Sequence, residues 1–160
     1  MNFPSLSHYK GSESFLLYLA FTCLIAGCKS DEPYVYICKD GTIEIQEVTN
    51  LKNFQKTINP KDSLATMVIR TETEYRNYIT DPVARIDFSK QTLLAGRLLT
   101  AMPGRVLSQR VTSSCASGSL LYDVKISVNT EGATAHAETP FFVTIPKIPE
   151  TTNVTFNVHF

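Results

Sequence analysis

The histidines that could bind a metal ion are far from one another in this 160-residue sequence. A zinc site needs three or four ligands at suitable spacing. Neither His136 nor His159 has a second ligand close to it in the sequence. The spacing therefore predicts no metal site, and nothing in the sequence calls for a cofactor.

Two pairs of carboxylates are placed where a general acid and a general base could act together. One pair is Glu72 and Glu74, and the other is Asp81 and Asp87. Carboxylates in such positions more often lie at helix starts and turns, where they bind backbone amides. Ser113 lacks the flanking glycines of a nucleophile elbow. The sequence thus predicts no catalytic residue, and a hydrolase whose residues are gathered only by folding is the alternative.

Cys28 is the residue whose surroundings are most informative. It follows an apolar run of about 13 residues, 15–27. This run is shorter than the roughly 20 residues of a spanning helix and is typical of a signal peptide. The step Ile25-Ala26-Gly27-Cys28 resembles the bacterial lipobox, in which one aliphatic and two small residues precede an acylated cysteine. The resemblance implies that residues 1–27 are a lipoprotein signal peptide and that Cys28 carries lipid.

Two other interpretations fit the same residues. The run 15–27 could be a buried helix with Cys28 as a core thiol, or an ordinary signal peptide cut near Ala26. The run is apolar on all sides and stops abruptly at Lys29-Ser30-Asp31-Glu32, which favours the lipobox. Residues 28–33 are then a lipidated tether, because more than one acyl chain anchors a protein stably without a transmembrane helix.

The tether also bears on location. Lys29, and not an aspartate, follows Cys28. By resemblance to the sorting of Gram-negative lipoproteins, this implies the outer membrane of a bacterial cell envelope. The acidic residues Asp31 and Glu32 resemble the tag that directs some bacterial lipoproteins to the cell surface, although a solvated tether has the same composition.

Two of the four cysteines remain for the folded domain once Cys23 leaves with the signal peptide and Cys28 is acylated. Cys38 and Cys115 are an even pair, and an exported protein enters an oxidising compartment, so we predict a disulfide between them. Two separate buried thiols are the alternative. A catalytic thiol would need a base beside it, and no histidine lies near either cysteine in the sequence.

The composition is that of a globular protein, with 43% hydrophobic and 19% charged residues. The 15 Lys and Arg residues balance the 15 Asp and Glu residues. Removal of the leader takes away only Lys10 and Glu13, so the remainder is balanced too. A neutral domain gains little long-range attraction to phosphate backbones, and nucleic acid is therefore not expected as a partner.

Residues 34–160 predict a single β-rich domain. The Asp40-Gly41 step predicts a hairpin turn, and Gly96 predicts a bulge in an apolar central strand. Alternation is clearest in residues 120–128, where one face is apolar and the other polar. The expected fold is mainly β, an antiparallel sandwich or roll of about seven or eight strands. The predicted strands are 34–38, 42–48, 64–69, 92–101, 106–115, 120–128, 141–145 and 154–160.

One short helix is expected after the third strand. Thr71 and Glu74 have the spacing of a capping box, in which each side chain accepts a hydrogen bond from the other residue's backbone. Tyr75 and Tyr78 follow at helical spacing. Asp81 precedes a proline, which ends the helix because the residue before proline avoids the α region.

Two segments carry a resemblance to a known family. Residues 86–95 (IDFSKQTLLA) and 142–147 (FVTIPK) are similar to segments of the PrcB-like protease-complex subunit family. The likeness covers roughly residues 68–160, and its motifs are structural. It implies a non-enzymatic accessory or binding domain on the cell envelope.

These inferences together predict a membrane-anchored envelope lipoprotein that binds a protein or glycan partner without catalysis. The resemblance implies that the protein partner is a protease complex, and the lipid on Cys28 makes the membrane a partner as well. A small envelope hydrolase and a purely structural envelope protein are the two alternatives.

Overall fold

The computed structural model describes residues 34–49, 51, 53–54, 62–80, 84–128 and 137–160. Residues 34–160 form one unit. The predicted signal peptide, the predicted lipidation site Cys28 and His136 lie outside the described residues. In the described part, no helix is long and apolar enough to cross a bilayer.

Two four-stranded sheets and a short two-stranded one make up the described domain. The elements in chain order are β1 (Gly41–Ile43), β2 (Gln46–Glu47), β3 (Asn53–Phe54), β4 (Leu64–Ile69), α1 (Glu72–Tyr78), β5 (Ile79–Thr80), β6 (Gln91–Thr100), β7 (Gly104–Ser114), β8 (Ser119–Val128), β9 (Ala137–Pro146) and β10 (Asn153–His159). The first sheet has the order β1-β7-β8-β10 and the second β2-β9-β6-β4, while β3 pairs with β5. The mainly β fold with one short helix is confirmed.

The core of the sandwich lies between the two large sheets. Strand β8 contributes every second residue to it, because alternate side chains of a strand point to opposite faces. Leu120, Tyr122, Val124 and Ile126 are buried, as the alternation predicts. The second sheet faces them with another set of apolar side chains: Leu94, Leu98, Phe141, Val143 and Ile145.

The second sheet is buried on its other face too. Helix α1 and the segments beside it cover this face, and their side chains form a second apolar cluster with those of β6 and β9. Strand β6 is therefore buried on both faces from Thr92 to Leu98, as is expected of a strand with a layer on each side. The cluster consists of Leu51, Ile69, Tyr75, Ile79, Phe88, Leu93, Ala95 and Phe142.

Four local expectations are wrong. Residues 34–38 form no strand, so the Asp40-Gly41 hairpin does not exist. Residues 42–48 do not form one strand, because β1 pairs with β7 and β2 with β9 in the other sheet. Gly96 lies in regular register opposite Phe141, and the bulge occurs instead at Leu107 in β7. The last two strands of the first sheet, β8 and β10, are parallel and not antiparallel.

Candidate functional site

A disulfide closes one end of the domain. Cys38 and Cys115 are bonded, with a Cα–Cα distance of 5.8 Å and a sequence separation of 77. The Asp40 carboxylate accepts a hydrogen bond from the Cys115 backbone N–H at 2.7 Å. The Ser113 hydroxyl lies 3.6 Å from the Cys38 sulfur and must be the donor, because a disulfide sulfur has no proton. The predicted disulfide is confirmed, and Asp40 supports it instead of forming a hairpin.

The segment before Cys38 presents apolar side chains to solvent. Val35 and Ile37 have 72% and 81% of their surface exposed, and Tyr34 has 44%. Tyr36, which lies between Val35 and Ile37, is partly buried and packs against the core of the sandwich. The disulfide and Tyr36 thus hold this segment on the domain, although it belongs to neither sheet.

A groove of about 350 Å³ runs alongside this segment, and we call it the tyrosine groove. A smaller groove of about 200 Å³ continues it and shares Glu44 and Pro146 with it. Gln91 Nε2 donates to Gln46 Oε1 at 3.2 Å within the smaller groove. Sequence reasoning missed the tyrosine groove because it joins two distant parts of the chain. Its lining residues are Tyr34, Tyr36, Ile37, Lys39, Thr42, Ile43, Glu44, Pro146 and Ile148.

Another open groove, of about 760 Å³, lies at the opposite end of the sheets from the tyrosine groove, and we call it the distal groove. Thr100, the last residue of β6, lines it, whereas Gln91 at the start of β6 lines the groove that adjoins the tyrosine groove. Ten residues of strand separate the two ends by about 30 Å. The other lining residues are Ala101, Met102, Ile126, Ser127, Val128 and Phe160.

The carboxylates of helix α1 serve the helix itself. Glu74 Oε2 accepts hydrogen bonds from the backbone N–H groups of Arg70, at 2.7 Å, and Thr71, at 3.1 Å. The Thr71 hydroxyl accepts one from the Glu74 N–H at 3.2 Å, so the predicted capping box is confirmed. Glu72 forms an ion pair with Arg76 at 2.6 Å. The two carboxylates therefore act in helix capping and pairing, not as an acid and base facing each other.

Asp87 organises the turn that leads into β6. Its Oδ1 accepts hydrogen bonds from the Ser89 hydroxyl, at 2.5 Å, and from the Ser89 N–H, at 3.0 Å. These two hydrogen bonds, more than the nearby amines of Lys90 and Lys147, hold the pKa of the Asp87 carboxyl below its usual value. Asp81, its predicted partner in acid–base chemistry, lies outside the described residues.

The two segments on which the predicted PrcB-like resemblance rests, residues 86–95 and 142–147, lie side by side. Lys147 donates from its backbone N–H to Lys90 O at 2.7 Å and from Nζ to Phe88 O at 2.5 Å. The Ile148 N–H donates to Thr92 Oγ1 at 3.3 Å. Phe88 itself is buried against Tyr75, with ring centroids 5.5 Å apart. These residues, of which Ile148 directly follows the second segment, therefore connect the start of β6 to the end of β9.

His159 has a carboxylate as its neighbour. Its Nδ1 lies 3.6 Å from Asp123 Oδ1, which also accepts a hydrogen bond from Asn157 Nδ2 at 2.5 Å. Ser113 pairs with Leu120 and His159 with Lys125, five positions further along β8, so the serine and the histidine do not form a nucleophile and base pair. Within the described ranges, no three metal-ligating side chains come together.

A chain of polar side chains enters the core. The hydroxyl of the fully buried Tyr122 donates to Gln109 Oε1, and Gln109 Nε2 donates to Glu47 Oε1 at 3.1 Å. Burial, followed by the negative charge of Glu47, raises the pKa of Tyr122 far above its ordinary value. The tyrosine is therefore neutral and serves as a hydrogen-bond donor at physiological pH. The alternation of apolar and polar residues along β8 predicted that Tyr122 is buried, but nothing in the sequence indicated that Gln109 is its hydrogen-bond partner.

No family model, curated protein or solved structure matches this chain. The resemblance of residues 86–95 and 142–147 to the PrcB-like family accordingly stays a prediction. A function for the chain has to be inferred from its own residues.

Proposed function

We propose that this chain is a lipoprotein of the bacterial cell envelope, anchored through lipid on Cys28, that binds a partner without catalysing a reaction. The observation that carries the proposal is the Cys38–Cys115 disulfide, which begins ten residues after the lipobox-like step. Disulfides persist in oxidising compartments, and a lipoprotein signal peptide would deliver the chain to one. The lipobox-like step in the leader and the disulfide in the domain thus both support a location in the cell envelope.

The non-catalytic part of the proposal is supported by what the reactive side chains do. Glu74 caps a helix, Glu72 pairs with Arg76, and Asp87 holds a turn. Ser113 donates to the disulfide. Each of these candidates has a structural partner that accounts for its position, which favours a binding or accessory module over a hydrolase.

The solvent face of the first sheet is suited to a protein partner. Arg110, Asp123 and Asn157 lie opposite one another across β7, β8 and β10. Lys125 and His159 form the next row of the same face. This face presents hydrogen-bond donors, acceptors and charges of both signs, which a partner protein with a complementary pattern could recognise. The PrcB-like resemblance makes a protease complex the first partner to test.

Intact mass of the full chain expressed in a Gram-negative host tests the anchor. We expect the mature protein to begin at Cys28, to carry acyl chains, to sediment with the outer membrane and to gain two hydrogens on reduction. Cys28→Ala should abolish acylation and membrane recovery. Cys23→Ala, the matched control in the same leader, should change neither. A protein that retains Met1, or a Cys23→Ala variant that also loses acylation, contradicts the proposal.

Crosslinking in isolated envelopes tests the binding role. We expect the lipidated chain to capture a defined partner that Arg110→Glu and Lys125→Glu together fail to capture. Arg76→Glu, on the exposed side of α1, is the control and should leave capture intact. If no specific protein or glycan is captured, or if the control variant loses capture equally, the surface assignment is wrong.

A further inference from the structure

Exposed apolar side chains are concentrated at one place on the described surface. Of the seven large apolar residues that are exposed there, three lie within residues 34–37. Single exposed apolar residues are ordinary, but a contiguous patch marks an interaction surface. We call Tyr34, Val35 and Ile37 the apolar strip.

The fold holds the apolar strip outward. Tyr36 packs inward against the core of the sandwich, and Cys38 is bonded to Cys115 immediately after the strip. Between these two attachments, Val35 and Ile37 cannot turn into the core that Tyr36 already occupies. The strip is therefore a fixed feature of the surface at the disulfide end of the domain.

The position of the apolar strip in the chain indicates what covers it. Tyr34 is six residues after Cys28. Six fully extended residues span about 20 Å at most, so an acylated Cys28 would keep the strip within that distance of the lipid headgroups. We propose that the apolar strip docks on the bilayer and orients the domain with the tyrosine groove against the membrane. This inference rests on the proposed lipidation of Cys28.

The chemistry of the strip suits a membrane interface. Tyrosine favours the headgroup level, where its ring and hydroxyl meet apolar and wet surroundings together. Val35 and Ile37 would enter the boundary between headgroups and acyl chains, as the apolar face of an interfacial segment does. Lys39 and Glu44 of the tyrosine groove bring one charge of each sign, and the Asp40 carboxylate is bound to the Cys115 amide. Apolar contact, not net charge, thus drives docking, and the contact should persist at high salt.

Docking would also orient the rest of the domain. The distal groove lies about 30 Å along β6 from the membrane-facing end. It would then face away from the bilayer, while the solvent face of the first sheet would stand roughly upright and accessible from the side.

The absence of tryptophan from the chain permits a direct test. The full lipidated protein carrying Ile37→Trp is reconstituted into vesicles of phosphatidylethanolamine and phosphatidylglycerol, with or without brominated acyl chains. We expect emission at shorter wavelength than in a non-acylated Cys28→Ala version, and several-fold quenching by the brominated lipid. Phe160→Trp, at the distal groove, is the matched control and should be neither shifted nor quenched.

The introduced tryptophan could itself insert into the bilayer. Hydrogen exchange is therefore measured on the natural sequence, which has no tryptophan. On vesicles, the peptide covering residues 34–37 should exchange several-fold more slowly than the same peptide of the non-acylated Cys28→Ala version, in low and high salt alike, and Val35→Ser/Ile37→Ser should remove this difference. If the protein sediments with vesicles but Ile37→Trp is unquenched and the two exchange rates agree, docking is wrong and the anchor stands. If the purified protein carries no acyl chain by intact mass and does not sediment with vesicles, the proposed lipidation itself is wrong.

Discussion

The ring of Phe141 in β9 lies directly over the backbone of Gly96 in β6. These two residues are register partners across the central pair of the second sheet. A β-carbon built on Gly96 would stand 2.1 Å from the Phe141 ring, far inside van der Waals contact. Phe141 is 2% exposed and in turn packs edge-on against Tyr122, with ring centroids 6.0 Å apart. The glycine therefore provides the space that lets an aromatic residue fill the core.

This relationship predicts a compensating pair of substitutions. Gly96→Ala should destabilise the domain by about 1–3 kcal/mol because the added methyl group overpacks the core. Phe141→Ala should cost about 3–5 kcal/mol because it leaves a cavity. The double variant should lose less than the sum, since the methyl group then occupies vacated space. Urea unfolding of the four proteins measures this, and strictly additive losses would contradict the contact.

The disulfide should account for a large share of the stability. In the chain-entropy model, a bond that closes a loop of 77 residues contributes roughly 4 kcal/mol, because it restricts the unfolded chain. Cys38→Ser/Cys115→Ser and reduction of the native protein should lower the free energy of unfolding by similar amounts. The double variant should not respond to reductant. A response of that variant, or no loss on reduction of the native protein, would refute this account.

The alternation of apolar and polar residues was the sequence pattern that predicted the structure best. Residues 120–128 have one apolar and one polar face, and the structure buries and exposes them accordingly. The signal is reliable there because the strand has core on one side and water on the other. The capping box of Thr71 and Glu74 could be predicted equally well, since both residues lie within one turn of helix.

Properties that depend on distant residues could not be predicted in the same way. The parallel pairing of β8 and β10 is set by the path of the chain from β9 to β10, which no local pattern encodes. Gly96 has two possible meanings in a strand, a bulge or a close approach, and only the position of Phe141 decides between them. Residues 34–38 look like a strand, but the disulfide and Tyr36 hold them outside both sheets. The tyrosine groove depends on that placement.

The capping box makes Glu74 and Glu72 a matched pair for mutation. Glu74→Ala should destabilise the domain by about 1 kcal/mol, because it removes the acceptor for two backbone N–H groups at the helix start. Glu72→Ala removes only an exposed ion pair with Arg76, for which about 0.3–0.5 kcal/mol is typical. Thermal unfolding under identical conditions compares the two. Equal losses would mean that the capping contacts contribute little.

Buried Tyr122 predicts how stability responds to alkaline pH. Its pKa is raised in the folded protein, first by burial and then by Glu47, from an ordinary value of 10.0. The folded state thus favours the neutral form, and this contribution is complete below pH 10 and declines above it as the unfolded tyrosine ionises. One such group steepens the fall in unfolding free energy by up to about 1.4 kcal/mol per pH unit.

Tyr122→Phe isolates this contribution from that of the other ionisable groups. At neutral pH the variant should lose about 1 kcal/mol, since Gln109 Oε1 no longer receives the hydroxyl. Above pH 10 its stability should fall less steeply than that of the native protein, so the difference between the two proteins narrows. Urea unfolding at a series of pH values from 7 upward measures both slopes. Parallel curves would mean that Tyr122 ionises as readily in the folded chain as in the unfolded one.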